Sequence, residues 1–137
     1  MKIYLLTGVP SSGKTWVCNQ LKNLYTVIAH DDYIGKDYVG SISLATKLNI
    51  DNKPILAETP FSMSKIMDPL EKKGIQVIPI VIIEDESVLE DRYYARDGVQ
   101  IPKGHFTRQH TYYSRAKANG WFVGTSEEVL KHLKGLV

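Results

Sequence analysis

Short, continuous apolar runs alternate along the whole chain with longer stretches in which apolar side chains recur at helical spacing. The first pattern belongs to strands buried on both faces and the second to helices that bury one face, so their alternation predicts an α/β fold with a parallel sheet and crossover helices. Strands are expected at residues 2–7, 26–30, 53–58, 75–83 and 121–124. Helices are expected at residues 14–25, where Val17, Leu21, Leu24 and Tyr25 share a face, and at about 36–48, which contains Ile42, Ala45 and Leu48. A third helix runs from a Ser62 cap toward Lys73, with Pro69 as a kink point and Gly74 as its stop. A fourth opens at Asp85 and ends at Gly98, a loop follows to about Phe106, and a fifth spans residues 107–119. Thr125-Ser126-Glu127-Glu128 is a capping box for a last helix bearing Val129, Leu130, Leu133 and Leu136. Pro79 falls inside the longest β-branched run, where it lacks a ladder donor, and a bulge or break is expected there.

Composition narrows the class without choosing a function. A chain of 137 residues, 43% apolar and 23% charged, matches one ordinary globular domain. No run reaches the ~18 apolar residues of a membrane span. Met1-Lys2 leads straight into a strand and leaves no room for a signal peptide, so a cytoplasmic protein is expected. Cys18 is the only cysteine, which excludes an internal disulfide, and it is expected to be a small packing residue. The histidines form no zinc-ligand pattern. Charge is unevenly spread: residues 92–137 hold 8 Lys/Arg against 3 Asp/Glu, a net +5, while residues 1–91 hold 9 against 12. Clustered positive charge suits polyphosphate or nucleic-acid contacts, and it equally describes an uneven solvated surface.

The chemistry begins at Gly8-Val9-Pro10-Ser11-Ser12-Gly13-Lys14-Thr15, directly after the first strand, which fits G-x-x-x-x-G-K-[ST] in full. Gly8 and Gly13 permit backbone geometry and close approaches that a side chain forbids, so successive N–H groups can face phosphate oxygens. Lys14 supplies a flexible charge for the β- and γ-phosphates. Thr15 offers a hydroxyl to Mg2+, and the helix that starts here turns its positive end to the same anion.

Ligands of open parallel sheets bind beyond the carboxyl ends of the strands. Asp31 and Asp32 end the second strand, and Glu58 and Thr59 end the third. One of the paired aspartates suits activation of an attacking hydroxyl; both also suit a turn, and Asp32 alone is the better cap. Glu58 can hold a metal-bound water or orient Thr15, or can pair with a nearby lysine. Arg92 and Arg96, one helical turn apart, leave the same face toward a glycine-bearing loop that suits a lid at about 86–115. Set over phosphates they stabilise transition-state charge; with Glu90 and Asp91 beside them they also describe a solvated surface helix.

Four blocks, in order, resemble the small P-loop kinases, most closely the kinase domain of phage-type polynucleotide kinase. The loop with Pro10, Ser12 and Trp16 resembles that family's G-x-P-x-S-G-K-[ST]-x-W; His30-Asp31-Asp32-Tyr33 resembles R-D-D-Y, whose first aspartate is the general base. Ala57-Glu58-Thr59 aligns with S-D-T, and the segment from Arg92 to Gly98, with Ile101-Pro102 and Tyr112-Tyr113, resembles the arginine-bearing lid. The resemblance implies strand order 2-3-1-4-5, ATP and Mg2+ as cofactors, Asp31 as base, and charge neutralisation by Lys14, Arg92 and Arg96. Pro10, Ser11 and Ser12 join Gly8, Gly13, Lys14 and Thr15 in holding the nucleotide. Ile34 stands where the family's substrate-binding arginine follows D-D-Y, and the family's phosphatase domain has no counterpart. The implied acceptor is a hydroxyl on nucleic acid, either a 5′ end or the 5-hydroxymethyl group of a pyrimidine in DNA, as in compact phage kinases of this type, which work in the host cytoplasm. A small-molecule kinase for nucleosides, nucleotides or sugars would use the same parts. A non-catalytic ATP-binding module would need the loop but neither Asp31 nor the arginine pair.

Overall fold

The computed structural model describes all residues, Met1–Val137. Five strands, β1 (Lys2–Thr7), β2 (Thr26–Ile28), β3 (Ile55–Thr59), β4 (Gln76–Ile82) and β5 (Phe122–Gly124), form one sheet. Its order is β2-β3-β1-β4-β5 and every pairing is parallel. All carboxyl ends therefore meet at one rim, with β1 in the centre. Six helices complete the chain: α1 (Lys14–Gln20), α2 (Tyr38–Leu48), α3 (Met63–Lys72), α4 (Glu86–Asp97), α5 (Gly104–Asn119) and α6 (Ser126–Gly135). None is long and apolar enough to cross a membrane.

Alternation along the strands sends side chains to two cores. Ile3, Leu5, Ala57, Val77 and Val81 face α2, α3 and α5, which contribute Ile42, Leu70 and Ala116. Tyr4, Leu6, Leu56, Ile80 and Ile82 face α1 and α6, through Val17, Leu21, Val129 and Leu133. Cys18 lies in the second core, and burial pushes its thiol up to about 12, which fits packing rather than reactivity.

Several boundaries differ from expectation. The first helix stops at Gln20, where the Leu21 N–H bonds back to the Cys18 carbonyl, three residues away, and tightens the turn. Leu21 and Tyr25 stay buried, but Leu24 is exposed. Tyr25 packs edge-on against Tyr4 and donates its hydroxyl to the Leu133 carbonyl, closing α6 over β1. The second strand ends at Ile28, and His30–Tyr33 forms a single 3-10 turn instead of further strand. Asp37, which the sequence reading passed over, caps α2 by accepting the Gly40 N–H at 2.9 Å. Ser62 and Asp85 occupy cap positions without a side-chain bond, whereas the Thr125 capping box forms in both directions. The fifth helix begins at Gly104, three residues before its expected start at Thr107.

Pro79 makes neither bulge nor break. The β1–β4 register runs unbroken through Leu5↔Pro79, while β5 pairs with β4 only at Ile80–Ile82. A missing donor goes unnoticed on the side of a strand that has no partner, and Pro79 sits within β4 one residue before its pairing with β5 begins.

Candidate active site

The P-loop is the turn between β1 and α1. Thr7, the last residue of β1, places its buried hydroxyl 3.2 Å from the Thr59 carbonyl and 3.0 Å from that of Phe61, tying the ends of β1 and β3 together. Gly8 and Gly13 are required by contact as much as by conformation. A Cβ on Gly8 would lie 2.5 Å from Ser12 Oγ, and one on Gly13, whose φ is +105°, would lie 2.8 Å from Ser126 Cβ. Ser11 is left-handed without being glycine, at φ 71°, a strain that surrounding contacts must hold.

The Ser11 and Ser12 hydroxyls are buried with no hydrogen-bond partner. Buried polar groups are nearly always paired, so two orphans in one loop mark donors for a ligand. Lys14 Nζ donates to the Gly8 carbonyl at 2.6 Å across the loop. Burial lowers the Lys14 pKa, and the carboxylates of Glu58 and then Asp31 oppose that shift, so both acids lie within electrostatic reach of its ammonium. Orphaned hydroxyls, a caged lysine and two glycines that admit no side chain fit a polyphosphate.

The other expected residues gather at the same rim. A cleft of about 770 Å³ is lined by Pro10, Ser11, Gly13, Lys14 and Thr15 of the loop together with Asp31, Glu58, Arg92 and Arg96. Asp31 is exposed in the 3-10 turn. Asp32 is not in the cleft lining, and its carboxylate caps nothing, since the turn opens at Ala29 without a side-chain bond. Glu58 is buried and has no lysine in an ion pair; its Oε1 instead accepts the His30 N–H at 3.1 Å and so fixes the turn that carries Asp31. Tyr38 adds a second fixture, its hydroxyl lying 2.9 Å from the Ile28 carbonyl and 2.5 Å from that of Glu58.

The two arginines share a face but not an environment. Arg92 Nη1 donates to the Ser12 carbonyl at 3.2 Å and the Ser11 carbonyl at 3.4 Å, and lies 3.6 Å from Glu84 Oε1. Arg96 forks onto Asp97 through bonds of 3.1 and 3.0 Å and lies over the Tyr93 ring.

Two groups were missed from sequence. Glu84 follows β4 as Glu58 closes β3, a positional signal that was available. Ser126, inside the capping box, also bonds Glu84. Tyr33, Tyr38 and Phe61, which the sequence offers either for base stacking or for packing, form an aromatic row with His30: His30 meets Phe61 and Tyr38 edge-on, each at 5.0 Å, and Tyr38 meets Tyr33 at 5.6 Å. Lys65 lies over Phe61 and Lys36 over Tyr33. No periodicity announces such a row, because Phe61 is 41% exposed and set in place by Thr7 and Thr59.

No family model and no curated protein sequence matches this chain. Solved structures do. A gluconokinase from Sinorhizobium meliloti 1021 superposes with TM-score 0.61 at 17% identity, covering 95% of this chain and 87% of its own. An uncharacterized protein from Eubacterium ventriosum superposes with TM-score 0.58 at 12% identity, covering 99% and 97%. APE1195 does so with TM-score 0.54 at 17% identity, covering 98% and 93%. At these identities the likeness is one of fold alone, the α/β architecture described above.

Proposed function

We propose that this protein is an ATP-dependent kinase that transfers the γ-phosphoryl group to a hydroxyl. The observation that carries the reading is the convergence of Ser11, whose buried hydroxyl has no partner, Lys14 and Asp31 on one cleft. Lys14 and the loop N–H groups would hold the phosphates, with Pro10 shaping the loop. Thr15 would hold Mg2+, and the Glu58 oxygen not engaged by His30 would hold a metal-bound water. When bound, MgATP supplies the phosphoryl group and a metal charge that offsets the developing negative charge.

Asp31 receives the acceptor's proton as the new oxygen–phosphorus bond forms and the bond to ADP breaks, leaving a phosphate ester. Its exposure in a fixed turn lets an incoming hydroxyl reach it. Lys14 and Arg96, once it leaves Asp97, neutralise charge on the transferring group, whereas the Arg92 guanidinium is already taken up by the Ser11 and Ser12 carbonyls.

For the acceptor, the aromatic row favours nucleic acid. Phe61 is exposed and Tyr33 half-buried, each beneath a lysine, so their outer faces suit unpaired bases and the lysines the phosphates between them, while buried Tyr38 packs between the two ends of the row. A hydroxymethyl pyrimidine in DNA or a 5′-hydroxyl end meets that description. A small-molecule acceptor is the second reading, and the fold shared with a gluconokinase supports it.

Labelled ATP offered separately with hydroxymethyluracil DNA, 5′-hydroxyl oligonucleotides, free nucleosides and gluconate decides among these. Label in either nucleic acid is the expected result. Label only in nucleosides or gluconate retains the kinase and discards the nucleic-acid acceptor. Tight ATP binding with no transfer to any of them leaves a binding module.

A further inference from the structure

Glu84, just behind the cleft lining, touches two of the lining residues, Arg92 and Ser126, and nothing in the phosphoryl-transfer scheme above uses it. Its side chain is 9% exposed, and Oε1 accepts both the N–H and the hydroxyl of Ser126, at 3.0 and 2.8 Å. The same oxygen faces Arg92 Nη1 at 3.6 Å. Its backbone is held as well: the Glu84 N–H donates to Gln109 Oε1 at 3.1 Å, and Gln109 Nε2 donates to the Glu84 carbonyl at 2.7 Å. Helices α4, α5 and α6 thus all reach one residue at the end of β4.

A loop that turns its N–H groups inward to a phosphate turns carbonyls outward. Those of Ser11 and Ser12 are the ones Arg92 takes. The bracket falls where the loop is strained, across the left-handed Ser11 and next to the left-handed Gly13. On the far side of Gly13 stands Ser126, close enough that an added Cβ would strike it. Arg92 itself is 42% exposed on a helix surface, and an unanchored guanidinium there would sample many rotamers. A largely buried carboxylate that already binds Ser126 gives it one position, because charge-assisted contacts strengthen where water is excluded.

We propose that Glu84 is a positioning residue, holding Arg92 on the outward carbonyls of the P-loop and Ser126 against Gly13, so that the loop keeps its phosphate-ready shape before any ligand arrives. Arg92 then acts as a bracket on the loop, and Arg96 is the lid arginine free to move. The kinetic consequence rests on the kinase reading; the structural one does not.

Hydrogen exchange of the ligand-free protein tests it, with Glu84→Gln as the main variant. The amide oxygen still accepts from Ser126, but the charge that anchors Arg92 is gone. Exchange over residues 8–16 should quicken about tenfold, with peptides from β3 and β4 unchanged. Arg92→Ala should match it, and the double variant should exchange no faster than Arg92→Ala alone, because the two residues act as one unit. In turnover, the KM for ATP should rise about tenfold with kcat nearly constant, a split that general destabilisation does not give. Unchanged exchange in Glu84→Gln, or full additivity in the double variant, overturns the proposal. Should Glu84→Gln not fold, Glu84→Asp keeps the charge, withdraws it by one methylene and is read the same way. If the wild type binds no nucleotide, the kinase reading fails and the exchange data still decide the role of Glu84.

Discussion

At the end of β1 the chain buries its polar groups, and at the end of β2 it displays them. The P-loop holds two unpartnered hydroxyls out of water, carries left-handed residues at Ser11 and Gly13, and closes on itself through Lys14. The Asp31 turn is a single 3-10 turn with an exposed carboxylate, fixed from below by Glu58 and Tyr38. The first region is shaped for one ligand and carries strain in its absence. The second is an open edge whose carboxylate is set but whose partner is not. A donor common to many kinases calls for the first construction, and an acceptor that differs from one kinase to the next calls for the second.

Substitutions should divide along the same line. Lys14→Met should have the largest effect, lowering turnover by about 10³-fold and weakening nucleotide binding, measured by steady-state kinetics and by titration of a fluorescent ATP analogue. Asp31→Asn should lower kcat by about 10²-fold or more while leaving the nucleotide dissociation constant unchanged. If Asp31→Asn weakens nucleotide binding as much as Lys14→Met does, the two regions are not separate. Phe61→Ala should raise the KM for a nucleic-acid acceptor about tenfold and leave that for ATP alone, as loss of one stacking surface predicts.

Gly13→Ala tests strain rather than chemistry. With φ at +105° and Ser126 in the way, it should cost about 2 kcal/mol, read as a lower urea midpoint. The smallest effect is in pH. Burial sets the Lys14 pKa below its ordinary 10.5, so the ammonium is fully present at lower pH and is lost on raising pH before an exposed lysine would lose it. Nucleotide affinity should therefore decline on the way to pH 10.5, with proton uptake on binding visible by calorimetry in buffers of different ionisation heat.

What could be read in advance follows how local each interaction is. The P-loop and the Thr125 capping box rest on contacts between near neighbours in sequence and appear where the pattern put them, and each strand shows in its own apolar run although its pairings are distant and the second stops two residues short. The strand order came with a family resemblance, not with periodicity. Asp31 was singled out over Asp32 only by the family resemblance, because a carboxylate at a strand end suits a turn as well as a site, and Glu84 met that positional criterion without being taken up. The Gln109 clasp on Glu84 joins positions 25 residues apart, and the Thr7 hold on Phe61 joins positions 54 apart, so neither leaves a local trace. Arg92 shows the limit most clearly. Spacing put it on the right face, but only the folded chain shows that carbonyls rather than open space meet its guanidinium. Pro79 was misjudged for the same reason, since its cost depends on which strand lies alongside.

Cys18 has a practical use. With its thiol buried and pushed up to about 12, the lone native cysteine is a poor target for maleimides at neutral pH. A second cysteine placed in the exposed stretch between α4 and α5 would take a dye or spin label selectively, with no need to remove the first. Paired with another added cysteine across the cleft, it would allow distance measurements that follow in real time whether that segment closes when nucleotide and acceptor are added together.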